Sequence, residues 1–332
     1  MQKEKNKQID FKNIFLSAWK ITRKNRYLWQ FGFVLTVASF FPNMMILVDD
    51  GRREMLGIFN FFWLENFLTK NFFKNENVLA IFLVTALIFS LARIVFQGAL
   101  IFSIEKEIEK KKNNFKIGLK KGKIYFWSLF FFSLISEGII FLAFFVLFFP
   151  VAILISKGSY AGGFFLGFSA LLIFLSVVGL IFFLKKFGYL YLVLGKLNIL
   201  ESMELAYALF RKNFWQSLWM GLNIFFLSLI SICVFFIFTG FLTIFFLGLS
   251  LFFGFIFGKA IEFFILGTVV FLFLLAGFFS ISFFQVFLQT AWILFFHEVA
   301  KTKKPEMLEV EMAKDFSEKT LPLINSEHID NR

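Results

Sequence analysis

Residues 263 to 284 read FFILGTVVFLFLLAGFFSISFF, a run of 22 positions without one ionisable side chain. At ~1.5 Å of rise per residue, a helix of this length covers the ~30 Å hydrocarbon core of a bilayer. The rest of the chain has the same character. Of 332 residues, 59% are hydrophobic and 17% charged, and Phe alone supplies 59, whereas a soluble domain carries about 25% charged residues. A soluble core could not cover that much apolar side chain. The fold class read from the sequence is therefore all-α, a polytopic transmembrane helical bundle.

Six apolar runs account for the chain: about Tyr27 to Val48, Val78 to Ile104, Ile124 to Ile155, Gly163 to Leu184, Phe214 to Phe238 and Phe263 to Phe296. With the N-terminus inside, 27 of the 34 Lys and Arg residues fall in cytoplasmic segments, and Arg93 lies within a span. This bias predicts that both termini face the cytoplasm. Three regions follow: a basic amphipathic leader over 1–26, a transmembrane domain over 27–300 and a polar cytoplasmic tail over 301–332. The first apolar run has 22 residues, longer than the 7–15 of a secretory h-region, and is expected to be retained. The net charge of +12 could suit nucleic acid, but the basic residues sit in short loops between apolar runs. That placement points to anionic lipid headgroups at the inner leaflet instead, with no nucleic-acid partner. Cys233 is the only cysteine, so no intrachain disulfide can form.

Two outer segments are more than simple loops. Met55 to Asn77 is aromatic-rich and broken by Asn60, Glu65, Asn66 and Lys70, a pattern suited to an interfacial helix. Gly240 to Lys259 is apolar and contains Gly240, Gly248, Gly254 and Gly258. A re-entrant hairpin is expected there; the alternative is that this segment crosses and the last run splits, giving eight spans. The third run, 32 residues long, would measure about 48 Å as one helix, and Pro150 is expected to end or kink it.

A short pattern repeats. Ala18-Trp19-Lys20-Ile21-Thr22-Arg23-Lys24-Asn25 and Ala206-Tyr207-Ala208-Leu209-Phe210-Arg211-Lys212-Asn213 share Ala-aromatic-x-x-x-Arg-Lys-Asn, each just before an apolar run. Both read as amphipathic helices lying on the membrane surface. A third, weaker copy is Phe115 to Lys123, ahead of Tyr125-Phe126-Trp127. Each unit would be a basic surface helix followed by a transmembrane hairpin, although selection for basic cytoplasmic loops alone can produce such matches.

Taken together, Phe15-x-x-Ala18-Trp19 with Trp29-Gln30-Phe31-Gly32, then Arg93-x-x-x-Gln97-Gly98-Ala99-Leu100-Ile101, then Glu201-Ser202-x-x-Leu205-Ala206-Tyr207-x-x-x-Arg211 resemble a bacterial family. It is the membrane domain attached to some glycerophosphoryl diester phosphodiesterases, with its stand-alone relatives. The resemblance spans nearly all of the apolar chain and implies a multi-pass protein of the bacterial cytoplasmic membrane. In those enzymes catalysis belongs to a separate barrel with metal-binding Glu, Asp and His residues, which has no counterpart here. The resemblance thus implies fold and topology rather than phosphodiesterase activity.

The candidate functional residues are the polar groups inside the spans: Arg93, Gln97, Glu137, Asn223, Gln285 and Gln289. Arg93 lies 11 positions from Ile104, about 16 Å deep, where an unpaired Arg costs at least ~2.5–3.5 kcal/mol on insertion scales. Glu137 reaches a similar depth on the next span, so an Arg93–Glu137 ion pair is expected. Such a layer could be a substrate or proton site open to the cytosol, or interhelical hydrogen bonding with Arg93 snorkelling to the interface. Gly163-x-x-x-Gly167 and Gly254-x-x-x-Gly258 fit close helix packing within the chain. His297-Glu298-Val299-Ala300-Lys301 approaches a zinc-protease motif, but Lys stands where the second His ligand belongs. No catalytic, cofactor or metal motif is present. The sequence therefore points to a non-enzymatic envelope scaffold or accessory that binds lipid or a protein partner; the alternative is a transporter or exporter of a small or amphiphilic solute.

Overall fold

The computed structural model describes residues 9–47 and 76–300, and every element there is helical. The helices are α1 (Phe11–Lys24), α2 (Tyr27–Leu47), α3 (Glu76–Ile108), α4 (Phe115–Ile124), α5 (Phe126–Ser156), α6 (Tyr160–Leu190), α7 (Ile199–Lys212), α8 (Phe214–Phe257) and α9 (Lys259–Ala300). A π-helical turn over Tyr191–Gly195 prolongs α6. Five of the long helices have the length and composition to cross a membrane, and the apolar stretch Tyr27–Ser39 of α2 is shorter. The interfacial helix expected over Met55 to Asn77 lies outside the described residues except for its last two positions, which open α3. Residues 1–8 of the leader and the tail 301–332 also lie outside them.

One order of elements occurs three times: a short amphipathic helix (α1, α4 or α7), then two long apolar helices. Each short helix starts at an Asp or Asn cap. The Asp10 and Asn114 side chains accept from the backbone N–H of Asn13 and Ile117, and Asn198 forms a capping box with Glu201, satisfying donors that a helix start leaves unpaired. Four residues past each cap stand Ile14, Gly118 and Ser202; eight past stand Ala18, Gly122 and Ala206. All six are buried. The Asn that closes the Ala-aromatic-x-x-x-Arg-Lys-Asn pattern does the same work in both copies. Asn25 Nδ2 donates to Ile21 O at 3.1 Å, and Asn213 Nδ2 donates to Leu209 O at 3.1 Å. These bonds satisfy a last-turn carbonyl and stop the helix, so the next one can turn inward. The middle unit lacks this Asn and breaks one turn earlier, at Tyr125. Asn25→Ala and Asn213→Ala should each cost about 1 kcal/mol of stability in unfolding from detergent micelles. A cost at one site and none at the other would contradict the equivalence.

The core is concentrated at the end of the bundle where the short helices lie. Trp292 of α9, fully buried, meets Phe182, Phe183 and Phe187 of α6 with ring centroids 5.9–6.3 Å apart. Phe210 of α7 stacks on Phe183, and α1 lies along α9 through Phe11–Phe295, Phe15–Phe287 and Trp19–Phe283. Glycine allows the closest approaches. A Cβ on Gly118 would overlap Ser103 and Phe31, and one on Gly122 would overlap Val95 O and Ala99. Gly118-x-x-x-Gly122 is therefore the small-residue face that seats α4 on α3. Gly163 and Gly167 pack within the α5–α6 hairpin, against Ile155 and Val151, while Gly258 faces open space.

Two expectations are corrected. The segment expected to be re-entrant, Gly240 to Lys259, instead continues α8 without a break to Phe257. Gly258, at φ +95°, makes the turn into α9, in a region that glycine adopts without strain. An unbroken helix satisfies its own backbone, which a hairpin exposed to hydrocarbon could not do. At 44 residues, α8 measures about 66 Å, twice a hydrocarbon core, so it must tilt or extend beyond it. Pro150 does not end α5, which runs on to Ser156. Lys185 and Lys186 lie within α6, which continues past them to Leu190.

Candidate functional site

The α5–α6 hairpin joins the other helices through the end that holds Leu129, Phe132 and Phe183 to Val193. Gly188 admits the Phe132 ring, and Gly98 of α3 admits Leu129. Immediately beyond this contact the helices enclose a cavity of about 560 Å³. It is lined by Arg93 and Gln97 of α3, Ser133 and Glu137 of α5, Lys185, Lys186 and Tyr189 of α6, and Gln289 of α9. Apolar side chains, among them Leu87, Leu91, Phe130 and Leu134, complete the wall.

Four of the six residues singled out in the sequence meet here: Arg93, Gln97, Glu137 and Gln289. Gln97 Nε2 donates to Gln289 Oε1 at 3.2 Å, tying α3 to α9. Asn223 and Gln285 do not line the cavity. The Asn223 amide instead donates to Trp219 O one turn back on α8, at 2.8 Å.

The ion pair differs from the one expected. Glu137 Oε1 accepts from Lys185 Nζ at 2.7 Å and from Ser133 Oγ at 3.0 Å, while Arg93 acts on Glu137 through its charge alone. Sequence reasoning missed Lys185 and Lys186 because two adjacent lysines look like a membrane boundary. The apolar, aromatic stretch that follows them, Phe187 to Leu194, is the signal that places them inside a helix. The Lys186 ammonium lies 5.9 Å from the centre of the Phe182 ring, a cation–π contact.

Three cations thus share the cavity wall with one carboxylate, leaving a charge of +2. The group lies well inside the helices: Glu137 is 11 positions into α5 and Lys185 ten before Gly195, about 15 Å along each axis. It is also accessible, with the Glu137 side chain 65% exposed and Lys185 28%. Chemically, such a wall favours an anion, held by two ammonium groups and a guanidinium that can bind a phosphate or carboxylate bidentately.

A second link closes the end of the bundle. His297 Nε2 lies 2.6 Å from Glu105 Oε2, joining the last turn of α9 to α3. His297 therefore takes part in helix packing, and among the described residues no three His, Cys, Asp or Glu side chains are placed to hold a metal. Comparison of the chain with family models, curated proteins and solved structures returns no match.

Proposed function

We propose that this is a non-enzymatic, multi-pass protein of the bacterial cytoplasmic membrane that binds an anionic lipid headgroup in the Arg93–Lys185–Lys186 cavity, as an accessory or scaffold of the envelope. In this reading the chain spans six times, with α2 as the sixth span and both termini inside. It belongs with the phosphodiesterase-type membrane domains that it resembles. The inward bias of basic residues supports the orientation, even with Lys185 and Lys186 removed from the cytoplasmic count.

The observation that carries the proposal is the charge of +2 beside apolar walls, about 15 Å inside the helices. Each uncompensated cation near mid-bilayer costs at least ~2.5–3.5 kcal/mol. One phosphate group offsets most of that cost through charge-assisted hydrogen bonds. The lipid's acyl chains find matching surface farther along the same helices, where Ile81, Val84, Leu87 and Ile88 of α3 and Phe141, Leu142 and Phe145 of α5 are exposed.

Lipid extracted with the purified protein tests this reading. Wild type should retain phosphatidylglycerol or cardiolipin over phosphatidylethanolamine. Arg93→Gln with Lys185→Gln and Lys186→Gln should lose that preference by at least about tenfold, since each charge-assisted bond contributes ~1.5–3 kcal/mol. Unchanged retention would refute the site. Lipid movement in proteoliposomes abolished by Glu137→Gln would replace the scaffold reading with transport.

A further inference from the structure

We infer that a second cleft, at the short-helix end of the bundle, binds a multivalent phosphate-bearing anion. The cleft has a volume of about 890 Å³ and lies between the end of α1 and the α3–α4 connection. Lys20 and Lys24 of α1 face Lys110, Lys111 and Lys112 across it, and Glu107 is the one carboxylate on its wall. It is separate from the intramembrane cavity and stands whether or not that cavity binds lipid.

The hydrogen bonding explains why the charge is available. The Glu107 carboxylate accepts from the Tyr27 hydroxyl at 2.7 Å, which fixes it in the floor of the cleft. Lys111 pairs at 3.0 Å with Glu109, and Glu109 is not part of the cleft wall. The hydrogen bond from Lys106, followed by that from Lys111, holds the Glu109 carboxyl below its ordinary range. Lys106, at 2.6 Å, and Lys111 share this one carboxylate, so Lys111 is only partly compensated, and Lys20, Lys24, Lys110 and Lys112 are the other cations on the wall.

Lys110 offers a substitution that separates ligand binding from stability. Its φ is +56°, a left-handed conformation that disfavours every residue with a Cβ and that glycine adopts freely. Lys196, at φ +53° after α6, has the same strained backbone but does not line the cleft, so it serves as the matched control. Ammonium groups on flexible stems suit a compact, highly charged group such as a diphosphate better than one planar carboxylate. That group could be a free anion or part of a lipid headgroup.

The test uses the full chain in nanodiscs and titrates inorganic pyrophosphate by calorimetry. In phosphatidylcholine discs, Lys20→Gln with Lys24→Gln, Lys110→Gly and Lys112→Gln should weaken binding at least about tenfold. Lys116→Gln with Lys120→Gln, Lys121→Gln and Lys123→Gln removes equal charge from α4, outside the cleft, and should leave binding within about threefold. Lys110→Gly and Lys196→Gly should both raise the melting temperature, and only Lys110→Gly should weaken pyrophosphate binding; this pair keeps the test valid if the quadruple variant unfolds. Discs containing phosphatidic acid identify the source: suppressed pyrophosphate binding assigns the cleft to lipid headgroups, and unchanged binding assigns it to a soluble anion. Equal weakening in the two quadruple variants, or no binding by wild type in phosphatidylcholine discs, would overturn the inference.

Discussion

Gly122→Ala should destabilise the protein by about 2–3 kcal/mol, the upper part of the usual range for overpacking. The added methyl would overlap the Val95 carbonyl oxygen and the Ala99 backbone. Backbone cannot rotate aside as the end of a side chain can, so α4 would have to lift from α3. That shift would also disturb Gly118, which sits against Ser103 and Phe31. Gly138→Ala is the matched control. It lies within α5, and its Cβ would meet nothing within 4 Å, so the ordinary helix preference for Ala applies, a gain of about 0.5–1 kcal/mol. Unfolding in mixed micelles titrated with a denaturing detergent reads both. Equal effects of the two substitutions would show that α4 is not seated by its glycines.

That same helix marks the limit of what the sequence makes legible. The helical class followed from run length, and the Ala-aromatic-x-x-x-Arg-Lys-Asn pattern located α1 and α7 because each of its residues has a local task. Ala is buried, the aromatic is partly exposed, and Asn caps the final turn. The middle unit was faint because Gly118 and Gly122 replace larger residues and the capping Asn is missing, so the same architecture is written with other residues. Long-range pairing was harder still. Arg93 and Glu137 share a level, but side-chain direction around each axis decides contact, and only the packed bundle shows that Lys185 reaches the carboxylate first. The π-helical turn over Tyr191–Gly195 prolongs α6 beyond Leu190, and no local residue preference announces its change of hydrogen-bond register. The exposed length of α8 was misread for the opposite reason: its glycines suggested a break, yet in an apolar setting the backbone gains more by continuing its hydrogen bonds.

Charge arithmetic in the cavity gives a second large effect, one that separates an anion site from a structural salt bridge. Wild type presents three cations and one carboxylate. Glu137→Gln raises the net charge by one, and Lys185→Met lowers it by one. A unit charge ~6 Å from a bound phosphate is worth about 3 kcal/mol at an effective dielectric constant near 20. Because the Glu137 side chain is 65% exposed, screening reduces this toward a tenfold change in affinity. Glu137→Gln should therefore bind a phosphatidylglycerol probe on the order of tenfold more tightly while losing stability, since Lys185 is left without its partner. Lys185→Met should lower both affinity and stability. The double variant keeps Arg93 and Lys186 with no carboxylate, restoring the wild-type charge, so its affinity should return to within about threefold and part of its stability should recover. A structural ion pair without an anion site would move stability in all three variants and leave lipid affinity unmoved. If Glu137→Gln weakened binding as much as Lys185→Met, the carboxylate itself would have to contact the ligand or carry its proton, and the transport reading would gain what the binding reading lost.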